Sequence, residues 1–357
     1  MKRELHQVNS ILNKSQKIKL LFLSILLFIG MILEVFGLSL VFPLLSIIED
    51  PNEIYNFSFL ASFFIFFKKF QNNELVYLLL SSILLLYFIK TLFLIFLNFK
   101  QNRFLYNLSA TISNNLLINY LKLSYIDIIQ KDASELYKNI KVEVGHFNAY
   151  CTALLNIITE SFLLLSVIFT LLVIEPFGTL FLALFFLFLS SVFYFFTKKK
   201  LYNWGLLREQ FDKSTSKTIM DGLSGVKELK LLGKTGYYAN RFSKDNFLLA
   251  RVSSNHTTIT QIPRYYLEFS SILGLVLFLM VLLNKEQLQG SIIATLGVFV
   301  AATFRLLPSI NKILTSIQNL KFYKTGVNVL YNEIVNPKSN SVIKSKGNIL
   351  DFKNLEL

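Results

Sequence analysis

Apolar residues are gathered into long runs along the chain, and more polar segments separate these runs. The runs cover 18–48, 75–99, 153–174, 177–197, 267–283 and 291–307. Each is near the roughly 17–25 residues that cross a bilayer as an α-helix, whereas a transmembrane β-barrel would need alternating segments of about ten residues. The pattern therefore predicts an all-α membrane protein with six transmembrane helices.

The composition agrees with a membrane location. Only 16% of the 357 residues are charged and 53% are hydrophobic, whereas about 25% of the residues of a soluble protein are charged. The single cysteine, Cys151, excludes an intrachain disulfide. The three histidines lack the spacing of metal ligands, so no metal site is predicted.

The positive charge is concentrated in particular segments. The net charge is +14, and residues 198–264 hold 13 Lys or Arg against five acids, whereas residues 49–74 hold two Lys against four acids. Cytoplasmic loops of membrane proteins carry an excess of Lys and Arg. We therefore expect the N-terminus, 100–150, 198–264 and the C-terminus to face the cytoplasm. The basic segments lack a basic stripe interleaved with aromatic residues, so no nucleic-acid partner is predicted.

The two long polar segments, 100–150 and 198–264, contain few helix-breaking residues. Pro263 is the only proline in either of them, and apolar residues recur with helical spacing. We expect each segment to consist of two membrane helices that continue into the cytoplasm and meet at a short turn, near 125–132 and near 211–216. The alternative is a small independent domain in each segment, but the apolar residues are too few for a separate core.

The other boundaries follow from shifts in composition. Residues 1–17 are interpreted as an amphipathic cytoplasmic lead-in helix and 18–335 as the transmembrane domain. The breaker-rich stretch 336–346 is a predicted linker. Residues 347–357 alternate like a β-strand, and because a lone strand is unstable we expect them to open a further domain that has been cut off. The apolar segment 57–67 is too short to span, and it suits either an external interfacial helix or a plug packed against neighbouring helices.

Two short motifs add a family resemblance. They are Ile262-Pro263-Arg264-Tyr265 and Arg305-Leu306-Leu307-Pro308-Ser309. With the six predicted helices, the two long helix pairs and the closing strand, they make the chain resemble the type IV transmembrane domain of ABC exporters, and within that class the PglK-like flippases. The resemblance implies the membrane half of an ATP-driven flippase that moves a polyprenyl-pyrophosphate-linked oligosaccharide across a bacterial plasma membrane. The alternatives are an ABC exporter of a peptide, a toxin or another lipid, and outside that class a membrane enzyme or a secondary transporter.

The resemblance also implies partners. ABC exporters work with two copies of each half, so a homodimer is expected here, and each copy is driven by a nucleotide-binding domain that holds ATP and Mg. Residues at the two predicted turns would transmit motion from that domain. The expected coupling residues are Tyr125, Asp127, Asp132, Phe211 and Asp212.

The chain has no phosphate-binding loop of its own. Its Gly233-Lys234-Thr235 has Glu228 where the loop requires a glycine. We therefore expect no catalytic residue and no cofactor in this chain, with ATP hydrolysis confined to the nucleotide-binding domain.

Ionisable residues within the predicted membrane helices are candidate functional residues, because charges are costly there. They are the bases Lys90, Arg264 and Arg305 and the acids Glu34, Glu160 and Glu268. In one interpretation the three bases form a cationic patch for a pyrophosphate, which Arg can grip with two parallel hydrogen bonds. The resemblance implies cavity arginines at Arg264 and Arg305, with Lys90 where the family has Arg. In the other interpretation, the acids simply neutralise the bases, and Arg264 pairs with Glu268 one turn away.

The last predicted helix has a polar face. Arg305, Ser309, Lys312 and Ser316 recur with helical spacing. This face predicts either the lining of a water-filled path or an exposed side of the cytoplasmic extension.

Overall fold

The computed structural model describes residues 2–39, 72–174, 176–283 and 289–335, and every regular element in these ranges is a helix. A π-helical turn, Asn139–Glu143, joins the fifth α-helix to the sixth. The segments 57–67, 336–346 and 347–357 lie outside the described residues. The α-helices are Lys2–Ile11 (α1), Lys14–Ser39 (α2), Asn72–Leu121 (α3), Tyr125–Ile129 (α4), Ala133–Lys138 (α5), Val144–Ile174 (α6), Pro176–Ser224 (α7), Val226–Leu231 (α8), Thr235–Leu283 (α9) and Gln289–Ile334 (α10).

Three stretches of the described helices are long and apolar enough to cross a membrane. They lie within Lys14–Phe36, Leu80–Leu121 and Ala133–Thr170, and at most 28% of the most apolar window of each is buried inside the chain. So much exposed apolar surface requires lipid or another protein around it. The protein is thus an all-α membrane protein, as the pattern of apolar runs predicts.

Four helices are much longer than a membrane crossing requires. α3 has 50 residues, α7 and α9 have 49 each, and α10 has 46. At about 1.5 Å per residue they measure roughly 70–75 Å, more than twice the apolar thickness of a bilayer. The prediction that apolar helices continue into the polar segments is confirmed, and the alternative of small independent domains is wrong.

A hydrophobic core shared by several helices holds their polar parts together. α6 packs along α10 at the centre, α2 and α3 pack on α6, and α7 and α9 pack on α10. The largest hydrophobic cluster joins α1, α3, α6 and α10 through buried residues that include Val8, Leu116, Phe147 and Leu330. The extensions are therefore packed against one another rather than isolated.

The lead-in segment consists of more than one helix. α1 ends at Ile11, and α2 already begins at Lys14, before the first apolar run. The backbone N–H of Asn13 donates to Oε1 of Gln16 at 2.8 Å, which satisfies a backbone donor where α2 begins. The predicted single helix over 1–17 is therefore wrong, because this local cap starts a new helix within it.

The first predicted turn is confirmed and the second is wrong. α3 ends at Leu121, and the short helix α4 lies within the predicted 125–132. α7, however, continues through 211–216 to Ser224. Residues 212–216 are polar, and 211–216 include no Gly or Pro, so nothing in this segment stops a helix.

The real second turn uses glycine. Gly233 has a φ of 63°, in the left-handed region that favours glycine. Its N–H donates to the carbonyl of Lys230, and the N–H of Lys234 donates to the carbonyl of Leu229. This pair of bonds is the Schellman pattern that ends a helix, here α8. The Gly-Lys-Thr sequence therefore has a structural explanation as a helix end.

α7 and α10 approach each other closely at Gly205. A Cβ atom at this position would lie 2.5 Å from the carbonyl oxygen of Phe322 on α10. We expect Gly205→Ala to lower the free energy of unfolding by about 1–3 kcal/mol, because α7 and α10 must move apart. The measurement is the midpoint of thermal unfolding in detergent.

The matched control for this change is Gly145→Ala on α6. Apart from the helix's own backbone, a Cβ atom there meets no atom of the described residues within 4 Å. The control should be neutral or slightly stabilising, since alanine favours the helix. Equal midpoints for the Gly205 variant and the parent would contradict the close approach of α7 and α10.

Candidate functional site

Lys90 is buried in an ion pair. Its Nζ lies 2.9 Å from Oε2 of Glu34 on α2, and the two side chains are 7% and 0% exposed. The ammonium also lies 4.6 Å from the centre of the Tyr87 ring. Within the described residues, Lys90 therefore has the acidic partner that the pairing interpretation predicts.

Arg264 also has an acidic partner, on the surface. Its Nε donates to Oε1 of Glu268 at 3.0 Å, and the side chains are 68% and 53% exposed. The predicted pairing of these residues is confirmed. Because exposed ion pairs contribute little to stability, this one can exchange its partner for another anion.

The three candidate bases lie on different helices. Lys90 on α3 is buried against α2, while Arg264 lies on an exposed face of α9. α3 packs mainly on α2 and α6, and α9 packs mainly on α7 and α10. Arg305 lies in α10, and its side chain is outside the described part of the chain. The described residues of one chain therefore do not join Lys90 and Arg264 in a shared patch.

The polar face of α10 is turned partly inward. Nζ of Lys312 donates to Oε1 of Glu160 on α6 at 2.7 Å. Ser309 and Ser316, on the same face of α10, are buried. The alternative of an exposed cytoplasmic face is therefore wrong for Ser309 and Ser316, because both side chains are buried.

Arg208 of α7 is the centre of a second group of contacts. This residue is buried, and it lies outside the apolar runs. The guanidinium donates to the hydroxyl of Thr325 at 2.8 Å and to the carbonyl of Phe322 at 3.2 Å, both on α10. Its Nε lies 3.5 Å from Oδ2 of Asp212. Burial lowers the pKa of Arg208 from its ordinary value, but arginine remains charged in proteins. We call Arg208, Asp212, Phe322, Thr325 and His146 the Arg208 junction.

Histidines bring two further helices into this region. Nε2 of His146 on α6 lies 3.0 Å from Oδ2 of Asp212. The ring of His256 on α9 stacks on Phe322 with the ring centres 3.7 Å apart. Burial lowers the pKa of His256 to about 4, so its imidazole is neutral at physiological pH. The charges and rings thus fasten α6, α7, α9 and α10 to one another.

The end of the first helix pair is α4, which we call the first tip. Tyr125 is 78% exposed, and Ile126 and Ile129 are also exposed. The hydroxyl of Ser124 accepts a hydrogen bond from the N–H of Asp127 and donates one to its carboxylate at 2.6 Å. Asp127 therefore stabilises the start of α4, and Tyr125 projects from it.

The first tip is tied to the rest of the protein by charges. Nζ of Lys217 on α7 donates to the carboxylate of Asp132 at 2.8 Å, and this hydrogen bond lowers the pKa of Asp132. Nζ of Lys131 lies 3.1 Å from Oε2 of Glu333, near the end of α10. The tip is therefore connected both to α7 and to the segment from which the chain continues beyond 335.

Phe211 and Asp212 lie inside α7 rather than at a tip, so their predicted position is wrong. Both are half-buried, and Asp212 belongs to the Arg208 junction. The second helix pair instead ends over 223–232, which we call the second tip. Leu231 is 77% exposed there, and Leu223 and Leu232 are also exposed. Both tips thus present apolar side chains far along helices that begin in apolar runs.

Sequence reasoning missed the Arg208 junction. The spacing of Arg208 and Asp212, four residues apart on one helix, was an available signal. This spacing carries little information alone, because oppositely charged residues are also four positions apart on exposed helices. Within the described residues no group of three or more His, Cys, Asp or Glu side chains could hold a metal ion. No family model matches the chain.

Proposed function

We propose that this chain is the membrane-spanning part of an ATP-driven exporter of the ABC class, with six transmembrane helices and two copies in the working assembly. The observation that carries the proposal is the set of four helices of 46–50 residues, three of which, α3, α7 and α9, adjoin the two apolar tips. Helices of this length extend roughly 40 Å beyond a bilayer. Such an arrangement suits levers that connect a membrane pathway to a soluble motor domain.

The composition of the tips supports a protein partner. Exposed apolar side chains cluster at each tip, and such clusters mark interaction sites. In this proposal the tips contact nucleotide-binding domains that hold ATP and Mg. The Arg208 junction and the ion pairs of Lys217 and Lys131 make the polar ends of the helices one packed unit. Movement at the tips would therefore reach the membrane part as a rigid-body shift.

The proposed cargo is a polyprenyl-pyrophosphate-linked oligosaccharide. Arg264 supports this cargo because its pair with Glu268 is exposed, and a pyrophosphate can replace the Glu268 carboxylate. Arg305 is the second proposed contact. Lys90 is buried against Glu34, so we assign it a structural role in the proposal. The lipid tail would remain in the bilayer while the charged head crosses.

The proposed orientation follows the distribution of charge. The basic segments 100–150 and 198–264 contain the polar halves of the long helices, so these halves and both tips would face the cytoplasm. In a bacterium the membrane would be the plasma membrane, and the N- and C-termini would be cytoplasmic.

The experiment uses protein that carries this chain together with its nucleotide-binding domain. In proteoliposomes, a fluorescent polyprenyl-pyrophosphate oligosaccharide is expected to move between leaflets only when ATP is supplied. Changing Arg264 and Arg305 together to Ala should reduce this movement at least about tenfold, because each arginine makes charge-assisted hydrogen bonds to the pyrophosphate. ATPase activity without cargo should persist.

The matched control changes Arg241 and Arg251 to Ala. Both are exposed on α9, and the pair removes the same charge from the polar half of the helix. Movement that is unchanged in the Arg264 and Arg305 variant would contradict the pyrophosphate contact. ATP hydrolysis without movement of this cargo in the parent would leave an ABC exporter with a different cargo.

That second candidate, an ABC exporter of a peptide, a toxin or another lipid, has an observation in its favour. Lys90 and Arg264 both have acidic partners, so the described residues offer little unpaired positive charge at membrane depth. Competition separates the two candidates. An excess of polyprenyl pyrophosphate without sugar should inhibit a flippase of the proposed kind and leave an exporter of uncharged cargo unaffected.

A further inference from the structure

A pocket of about 330 Å³ opens between the start of α2 and the middle of α3. Three basic side chains line it, Lys19 from α2 and Lys100 and Arg103 from α3. Its other walls include the apolar side chains of Phe22 and Phe104. Among the residues that the structure describes, no acidic residue contributes to the lining.

The pocket lies where the apolar stretches of both helices end. In α2, Lys19 is the second residue of the apolar run 18–48, and in α3 the apolar run ends at Phe99, directly before Lys100. Because Lys19 and Lys100 line the same pocket, the two ends lie at the same level. Basic residues at this level of a membrane helix meet lipid headgroups.

The basic residues of this pocket differ from the basic residues of the candidate functional site. Lys90, Arg264 and Lys312 each have an acidic partner. In the part of the chain that the structure describes, Lys19, Lys100 and Arg103 form no ion pair, and all three are exposed. The Lys100 ammonium contacts an aromatic ring instead, 5.2 Å from the centre of Phe96. Three like charges around one small space repel each other unless an anion lies between them.

We propose that this pocket binds the phosphate headgroup of an anionic membrane lipid. Lys19, Lys100 and Arg103 contact the phosphate oxygens, and the fork of Arg103 suits two of them at once. Phe22 and Phe104 pack against the glycerol and the first methylenes of the acyl chains. The lipid ties the beginning of α2, and through it α1, to α3. The inference requires only that α2 and α3 cross the membrane, so it is independent of the proposed transport function.

The probe is dioleoyl phosphatidylglycerol, titrated into the detergent-solubilised chain while the midpoint of thermal unfolding is followed. We expect the midpoint to rise with a saturating dependence on this lipid. Lys19→Gln, Lys100→Gln and Arg103→Gln together should weaken the apparent affinity on the order of 100-fold, because each basic residue near an anionic lipid surface contributes about fivefold. The single change Lys100→Gln should weaken it about fivefold.

The matched control removes three basic residues from the region of the second tip. Lys227, Lys230 and Lys234, changed together to Gln, take away the same charge from exposed positions around the second tip. This control should bind the lipid as the parent does, and an equal loss of affinity in it would overturn the pocket as the site. A neutral lipid, dioleoyl phosphatidylcholine, or inorganic phosphate that raises the midpoint as strongly would overturn the assignment to an anionic lipid.

Discussion

Replacing Glu34 with Gln is expected to lower the stability of the protein by about 3–5 kcal/mol, because the change leaves the Lys90 charge buried without its counterion. The Lys90 ammonium lies 2.9 Å from the Glu34 carboxylate, and both side chains are almost fully buried. In the variant the ammonium must either stay charged in a medium that solvates it poorly or release its proton to water. Both outcomes raise the free energy of the folded state. The midpoint of thermal unfolding should fall by on the order of 10 °C.

A second variant distinguishes the loss of the ion pair from the change in side-chain shape as the cause of the destabilisation. Glu34→Gln combined with Lys90→Met removes both charges and keeps the approximate volumes, and such double replacements are often neutral. This double variant should restore most of the fall in the midpoint of thermal unfolding. The matched control is Glu268→Gln, which breaks the exposed pair with Arg264 and should leave the midpoint nearly unchanged. If Glu34→Gln behaved like this control, Lys90 would lie in water, and its role as a substrate contact would regain support.

Arg208→Met is expected to be similarly destabilising, by about 3–5 kcal/mol. The Arg208 side chain is 3% exposed. It donates hydrogen bonds from α7 to Phe322 and Thr325 of α10. Because methionine fills a similar volume, the loss of stability measures the contribution of the charge and the hydrogen bonds. The variant leaves the Phe322 carbonyl without this donor and the Asp212 carboxylate without the guanidinium, and unfolding in detergent should begin at a lower temperature.

Arg251→Met on α9 is the control for this change. Arg251 is exposed, so its loss should not move the unfolding midpoint. Hydrogen exchange provides a second measurement, because Arg208→Met should speed exchange of backbone amides in α7 and α10 around the junction. Parent-like exchange and an unchanged midpoint together would show that the Arg208 junction does not hold these helices together.

The class of the fold was predictable from the sequence because it rests on local properties. A run of about 20 apolar residues suits a bilayer as a helix regardless of its neighbours. The continuation of the helices beyond the apolar runs was predictable too, since 100–150 and 198–264 offered almost no residue that stops a helix. The position of the second turn was not predicted correctly. The turn was expected near 211–216, but the polar residues there suit a helix surface equally well. Gly233, which adopts the left-handed conformation near the real turn, was the stronger signal.

The partners of the charged residues depended on the tertiary structure. The sequence placed Glu34, Lys90, Glu160 and Lys312 on helices but did not determine which pairs would meet. Arg264 and Glu268 were the exception, since one turn of helix separates them. Arg208 shows the limit most clearly, because its partners lie more than a hundred residues away on α10. The local sequence determined the helices of this protein. The burial of a charge and the choice of its partner depended on how helices that are far apart in the sequence pack together.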